Sequence, residues 1–232
     1  MLQIGNLATK LTFLEQLMEI WHLWIHAIAN ILGLVTSQFG ISEAISIIAV
    51  TLAVRMAMFP LSFASAYKAQ GNKMSMMRIK PQIEQLRERL KDDPTELARQ
   101  TMALYRENGI HFLDKTTMLN MGMQSIIGLG FFQALKSISF NSKFLWIANI
   151  GKADIFLSIV VGVLMFASMS LMPGAAEQTS LFLLLIPVLI SVFALISFPS
   201  AIGLYWATSN LVSVMQTLVL RWVMSKRAHL RA

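Results

Sequence analysis

From Ile45 to Leu61 the chain reads ISIIAVTLAVRMAMFPL, and the one charged side chain in that stretch is Arg55. The flanking charges are Glu43, 12 residues earlier, and Lys68, 13 residues later. On a helix rising about 1.5 Å per residue, they stand roughly 18–20 Å from Arg55. A bilayer's hydrocarbon core is about 30 Å thick, so a helix through this stretch holds Arg55 near the midplane. A guanidinium there costs about 2.5–3.5 kcal/mol on insertion scales. Its side chain reaches about 6–7 Å, which is marginal for snorkelling to the headgroups. A fold that keeps this residue has to give it a wet or polar cavity inside the protein.

Composition agrees with a membrane setting. The 232 residues are 56% hydrophobic, with a mean hydropathy of +0.62 and only 13% charged residues. Soluble domains carry about 25% charged residues. The expectation is an all-α polytopic membrane protein. Its 16 methionines adapt to varied apolar partners. Cysteine is absent, which excludes disulfides, thiolate nucleophiles and thiolate metal sites. The first 16 residues hold one lysine and no long apolar run, so no ordinary signal peptide is expected.

Glu15, Glu19, His22, His26 and Asn30 recur at helical spacing on an otherwise apolar segment with Trp21 and Trp24. This predicts an N-terminal amphipathic helix lying in the membrane interface over residues 1–40 and ending near Gly33. Five spans follow, at 43–64, 117–137, 153–172, 180–197 and 200–222, each near the length a bilayer needs. Pro187 is expected to kink the fourth. The membrane-spanning core is thus 41–64 plus 117–224.

Residues 65–116 are polar. Gly71-Asn72 is expected to break the chain after the first span. Met76, Ile79, Ile83, Leu86 and Leu90 then form a short heptad seam, matched by Leu97, Thr101 and Leu104. Between them Asp92-Asp93-Pro94 marks a turn, with Pro94 opening the next helix. This predicts an antiparallel helical hairpin. Ten of the 19 basic residues lie between Lys68 and Lys115, and four more in the last 12 residues, with a basic tail at 225–232. By the positive-inside rule, hairpin and tail both face the cytosol or matrix. The net charge of +7 is therefore topological, and no specific nucleic acid partner is expected.

Three predicted spans carry polar stripes at helical spacing: Thr51, Arg55 and Ser62; Thr117, Asn120 and Gln124; and Trp206, Ser209, Ser213 and Gln216. Any one such residue has an ordinary explanation as a hydrogen bond between helices, at about 0.6 kcal/mol each. The set together with Arg55 favours a wet groove open toward the basic side. No acidic residue lies at Arg55's depth, so an incoming acidic group is its expected partner. Enzyme signatures are missing: no HExxH, no GxSxG and no paired intramembrane carboxylates. His22 and His26 are spaced for metal but fit the wet face of a surface helix. Neither metal nor cofactor is expected.

Several segments together resemble the YidC/Oxa/Alb membrane-protein insertase family. TLAVRMAMFPLS (51–62) is similar to its first core span. KPQIEQLRERLKDD (80–93) and MALYRENGI (102–110) are similar to its hairpin. LGFFQALKSI (129–138) and LWIANI (145–150) resemble the end of its second span and its outer loop. FPSAIGLYWATSNLVSVMQTLVLR (198–221) is the strongest segment. The resemblance implies that Arg55 is the groove arginine, Gln124 the second-span glutamine and Trp206 the fifth-span groove tryptophan. It implies a passive insertase and chaperone for nascent membrane proteins, working within the lipid bilayer, with the ribosome and a translocon as candidate partners. HFLDKTTMLNMGMQS (111–125) lacks the bacterial Asn-Pro-x-x-Gly-Cys-x-Pro pattern. The chain thereby looks closer to mitochondrial inner-membrane members than to those of the bacterial plasma membrane. The rival readings are a small transporter or channel, which an internal repeat would support, and a dedicated respiratory-complex assembly factor.

Overall fold

Helix ends fall where capping chemistry places them. Ser42 accepts from the Ile45 amide, Asp93 from Glu96, Asp114 from Thr116 and Thr117, and Asp154 from Leu157. A computed structural model describes residues 2–111, 114–171 and 181–229, with side chains for 14–111, 114–171 and 184–227. Its helices are α1 (Leu2–Phe39), α2 (Glu43–Arg89), α3 (Pro94–Glu107), α4 (Lys115–Ser137), α5 (Ile155–Ser170), α6 (Leu181–Leu195) and α7 (Ser200–His229). Among the described residues there is no strand, only an isolated bridge between Phe144 and Ile147. The all-helical expectation holds. Leu14–Phe39 and α2 are each long and apolar enough to cross a membrane, and α5 and Leu184–Leu195 are shorter apolar helices. Residues 172–180, where the expected third and fourth spans meet, and the last residues of the tail, 230–232, lie outside the described residues.

Two expected boundaries are corrected. α1 runs through Gly33 and stops at Phe39, because the residue with left-handed backbone is Gly40, at φ +60°. α2 continues unbroken through Gly71-Asn72, with Pro60 and Pro81 inside it. Asn72 does not act as a breaker, because its side chain is used across the fold: Nδ2 donates to the His111 carbonyl at 2.6 Å.

α2 packs on both α4 and α7, and α5 lies between α6 and α7. Small residues set several of these approaches. A Cβ on Gly162 would strike Val192 of α6, and one on Gly203 would strike Leu157 of α5. Gly130 of α4 leaves the space that Trp24 and Ile28 of α1 fill. Trp21 adds a bond from Nε1 to Oε1 of Gln133 at 3.0 Å. Glu15, Glu19, His22, His26 and Asn30 are all exposed, on the side of α1 away from this contact.

The apolar core sits at one end of the bundle. Ile28, Leu32, Ala44, Ile47, Phe131, Ala134, Leu135, Ile150, Leu157 and Ile202 belong to one buried cluster. These are the last turns of α1 and α4, the first turns of α2, α5 and α7, and the 138–153 loop. That loop is tied down. The Glu43 carboxylate accepts from the Asn141 and Ser142 amides at 3.2 Å each. The Lys152 carbonyl accepts from both the amide and the hydroxyl of Ser200. At the other end α2 and α3 form the expected hairpin. Ile79 is buried there, and Ile83, Leu86, Leu97, Thr101 and Leu104 are half-buried along the seam. Pro94 is the first residue of α3, and no residue of α3 is buried.

Candidate functional site

Below the apolar core, α2, α4 and α7 present polar side chains to one another. The highest point of this seam is Arg55, half-buried on α2. Its Nε donates to Oγ of Ser209 on α7 at 3.2 Å, and Nη1 donates to Oε1 of Gln124 on α4 at 3.4 Å. Gln124 in turn donates from Nε2 to Oδ1 of Asn120 at 3.1 Å. Among the described residues no carboxylate lies within ion-pair distance of Arg55. The charge is held by neutral dipoles alone.

The seam continues toward the hairpin end. Ser62 donates to Oε1 of Gln216 on α7 at 2.9 Å. Ser65 donates to the Thr117 hydroxyl of α4 at 3.4 Å. Lys68 donates to the Thr116 hydroxyl at 2.6 Å and lies 3.5 Å from Asp114. With Asn72, these α2 residues recur at intervals of 7, 3, 3 and 4, which is one helical face. From Arg55 to Asn72 that face extends about 26 Å at the helical rise. Its far end is a cavity of 230 Å³ lined by Lys68, Gly71, Asn72, His111 and Asp114. Backbone donation from Thr117, aided by Thr116 and Lys68, holds the Asp114 carboxyl below its ordinary pKa, against a smaller opposing effect of burial.

Six of the eight residues expected in the groove take part in these contacts or flank them: Arg55, Gln124, Asn120, Ser209, Gln216 and Ser213. Ser213 is half-buried one turn from Ser209 and spends its hydroxyl proton on the Ser209 carbonyl at 3.0 Å. Thr51 lies elsewhere. It is 1% exposed, within the core end, and donates to the Ile47 carbonyl of its own helix. Trp206 faces a neighbouring cleft of 470 Å³ shared with Ser125, Gly128, Leu129 and Phe132 of α4. The aromatic residue whose hydroxyl lies beside Arg55 is the preceding one. Tyr205 is buried, stacks on Phe131 at 4.9 Å and points its hydroxyl toward Ser209 and Arg55. Gly128 gives that hydroxyl room. Tyr205 precedes Ser209 by four residues, so the spacing that flagged the serine also reaches it. Lys68 lies outside the apolar run, where hydropathy marks it only as the charge that follows the span.

Residues 34–227 match the protein family described as 60Kd inner membrane protein. The chain belongs to this family, the YidC/Oxa/Alb insertases. Membrane protein insertase MisCB of Bacillus subtilis (strain 168) is 31% identical over 242 residues, covering 94% of this chain and 83% of its own. Membrane protein insertase YidC 2 of Bacillus anthracis is 29% identical, over 87% of this chain and 81% of its own. The YidC of Helicobacter pylori (strain ATCC 700392 / 26695) is also 29% identical, but this chain spans only 34% of it. A crystal structure of active YidC insertase with its first transmembrane domain resolved shares the fold. Its TM-score is 0.58 at 20% identity, covering 83% of this chain and 45% of that one. These YidC-family relatives are bacterial, so the lean toward mitochondrial members is not supported. They point to an integral protein of the plasma membrane. The absent Gly-Cys pattern does not carry that distinction.

Proposed function

We propose that this protein is a membrane-protein insertase and chaperone, as its relatives' names describe them, and that the seam between α2, α4 and α7 is its substrate groove. The observation that carries the proposal is the division of the bundle. Apolar packing fills the loop end, and a polar face led by the half-buried Arg55 occupies the hairpin end. In this reading five helices span the membrane: α2 to about residue 64, then α4, α5, α6 and α7. α1 lies in the interface on the far side, with its exposed Glu/His stripe in water. The hairpin and the basic tail lie on the cytosolic side, following the positive-inside rule. They offer surfaces for a ribosome or translocon.

The mechanism is passive and needs no catalytic group. A polar flank of a nascent segment enters from the hairpin end and exchanges water for the serine, threonine and amide groups of the seam. Arg55 attracts acidic residues in that flank, since a guanidinium solvated only by neutral dipoles still gains from an anion. The packed loop end stops the flank from meeting an open pore. The polar face shortens the hydrocarbon distance that the flank must cross, and the apolar segment leaves sideways into lipid.

Site-specific photocrosslinking to a ribosome-bound nascent membrane protein tests this. Probes at Ser62, Asn120 and Ser213 should capture the nascent chain. Probes at Ile159 of α5 and Phe193 of α6, which are 50% and 71% exposed away from the seam, should not. Equal capture from both sets would remove the groove from the account.

A further inference from the structure

Beyond its expected span, α2 uses two flanks differently. Ser65, Lys68 and Asn72 turn to α4 and the segment before it. Tyr67, Gly71, Met74, Ser75 and Arg78 turn to α7, where with Met224 and Arg227 they line a separate cavity of 400 Å³. Arg227 donates from Nη1 to the Tyr67 hydroxyl at 2.6 Å, and its guanidinium lies 5.2 Å from the Tyr67 ring centre. The cavity therefore holds two guanidiniums and the hydroxyls of Tyr67 and Ser75, and no carboxylate is among its lining residues. Its other walls are the two methionines and Gly71, where a Cβ would meet nothing within 4 Å.

Depth gives this chemistry its meaning. Gly71 follows Arg55 by 16 residues, about 24 Å along a helix and less when tilted. With Arg55 near the midplane, the lining from Tyr67 to Arg78 runs from the headgroup layer, roughly 15–22 Å out, to its water side. A second feature marks the same level. Trp222 is 59% exposed on α7, and Lys226 sits over its ring at 4.3 Å. An exposed tryptophan beside lysine is what chains place at a membrane–water interface.

We propose that this cavity binds the headgroup of an anionic phospholipid. The phosphate sits between Arg78 and Arg227, the glycerol esters lie against Met74 and Met224, and the acyl chains begin below Tyr67. Planar guanidiniums match phosphate oxygens in pairs, and thioether side chains adapt to the apolar edge of the glycerol esters. A free anion would use the guanidiniums and leave the methionine walls without a role. An acidic nascent segment would follow the α4 flank, where Lys68 stands. The bound lipid joins α2 to α7 at the mouth of the bundle. The proposal does not depend on the insertase reading.

The test is native mass spectrometry of the detergent-released full chain, titrated with phosphatidylglycerol or phosphatidylcholine of matched acyl length. Wild type should retain one phosphatidylglycerol at least about tenfold more tightly than phosphatidylcholine. R78Q/R227Q should bring that preference to within about twofold, and R78K/R227K should fall between the two, because an ammonium keeps the charge and loses the paired bonds. R87Q/K91Q removes the same charge from the hairpin and should keep it all. Circular dichroism checks that each variant retains wild-type helix content. Equal binding of the two lipids by wild type, or equal loss in R78Q/R227Q and R87Q/K91Q, would overturn the proposal. Displacement of the lipid by inorganic phosphate at equal concentration would overturn the lipid assignment in favour of a free-anion site.

Discussion

Arg55 and Ser209 join α2 to α7 through one hydrogen bond, Nε to Oγ at 3.2 Å, while the other arm of the guanidinium reaches Gln124 on α4. A permanent cation is thus solvated by two helices that contribute no charge. Removing a neutral partner and removing the cation should have opposite consequences. Gln124→Ala strands the charge and should destabilise the protein by about 1–3 kcal/mol. The same change in an Arg55→Ala background should cost much less, because the cation and its desolvation penalty have gone together. A double-mutant cycle in detergent should return a coupling of about 0.5–1.5 kcal/mol. Additive losses would mean that Gln124 does not serve Arg55.

Gly130 sets the position of α1. A Cβ there would collide with the indole of Trp24 and touch Ile28. Gly130→Val should therefore cost about 1–3 kcal/mol through overpacking. Adding Trp24→Ala should recover part of that loss, although Trp24→Ala alone is destabilising. Thermal unfolding of the four proteins checks this, and strict additivity would contradict the contact.

Asp114 should confer acid sensitivity on the start of α4. Its folded-state pKa is lowered, chiefly by the Thr117 amide, so the folded protein favours the carboxylate. The resulting stability is complete above the ordinary value of 3.8 and is lost as pH falls below it toward the lower folded pKa. Asp114→Asn keeps a capping oxygen but cannot titrate. Its unfolding midpoint should fall less than that of wild type between pH 4 and pH 2.5. Parallel curves would show that the cap carries no proton linkage.

What could be read from the chain alone follows from which forces are local. Hydropathy and capping residues located the helices, because burial in lipid and unsatisfied helix ends are properties of short segments. Pro94 and Asp93 marked the hairpin turn for that reason. Gly71-Asn72 misled, because local propensity assigns Asn72 to a break, whereas its amide is bonded 39 residues away to His111. The polar contacts between α2, α4 and α7 were legible as three polar stripes. Thr51 lies outside these contacts because its helical turn is buried in the apolar core end, where its hydroxyl is satisfied by its own helix. Tyr205 was missed because an aromatic residue in an apolar run carries no polar signal until its hydroxyl is seen beside Arg55 and Ser209.

The hairpin should be the least protected ordered region. α3 buries no residue. Its Glu96–Arg99 pair is surface-exposed, although the Arg99 bond holds the Glu96 pKa at about 2. Exposed pairs contribute little to stability, and few buried contacts mean easy local opening. Hydrogen exchange should show α3 exchanging faster than the first turns of α2 and α7, which hold Ala44, Ile47, Ala201 and Ile202 in the core. Equal protection would point to a partner or packing that the seam residues do not supply.

The central claim is that Arg55 acts on substrates as a positive charge, and one measurement tests it most directly. Two otherwise identical substrates, one with Asp and Glu in its translocated tail and one with a neutral tail, are inserted by wild type, Arg55→Lys and Arg55→Ala. At an effective dielectric near 20, a pair of charges about 4 Å apart attracts by about 4 kcal/mol, and a third of that is already about tenfold in rate. Arg55→Ala should therefore slow the acidic-tailed substrate roughly tenfold or more while sparing the neutral one, and Arg55→Lys should retain much of the activity. Equal loss for both substrates in Arg55→Ala would contradict the account and leave Arg55 as a structural link between α2, α4 and α7.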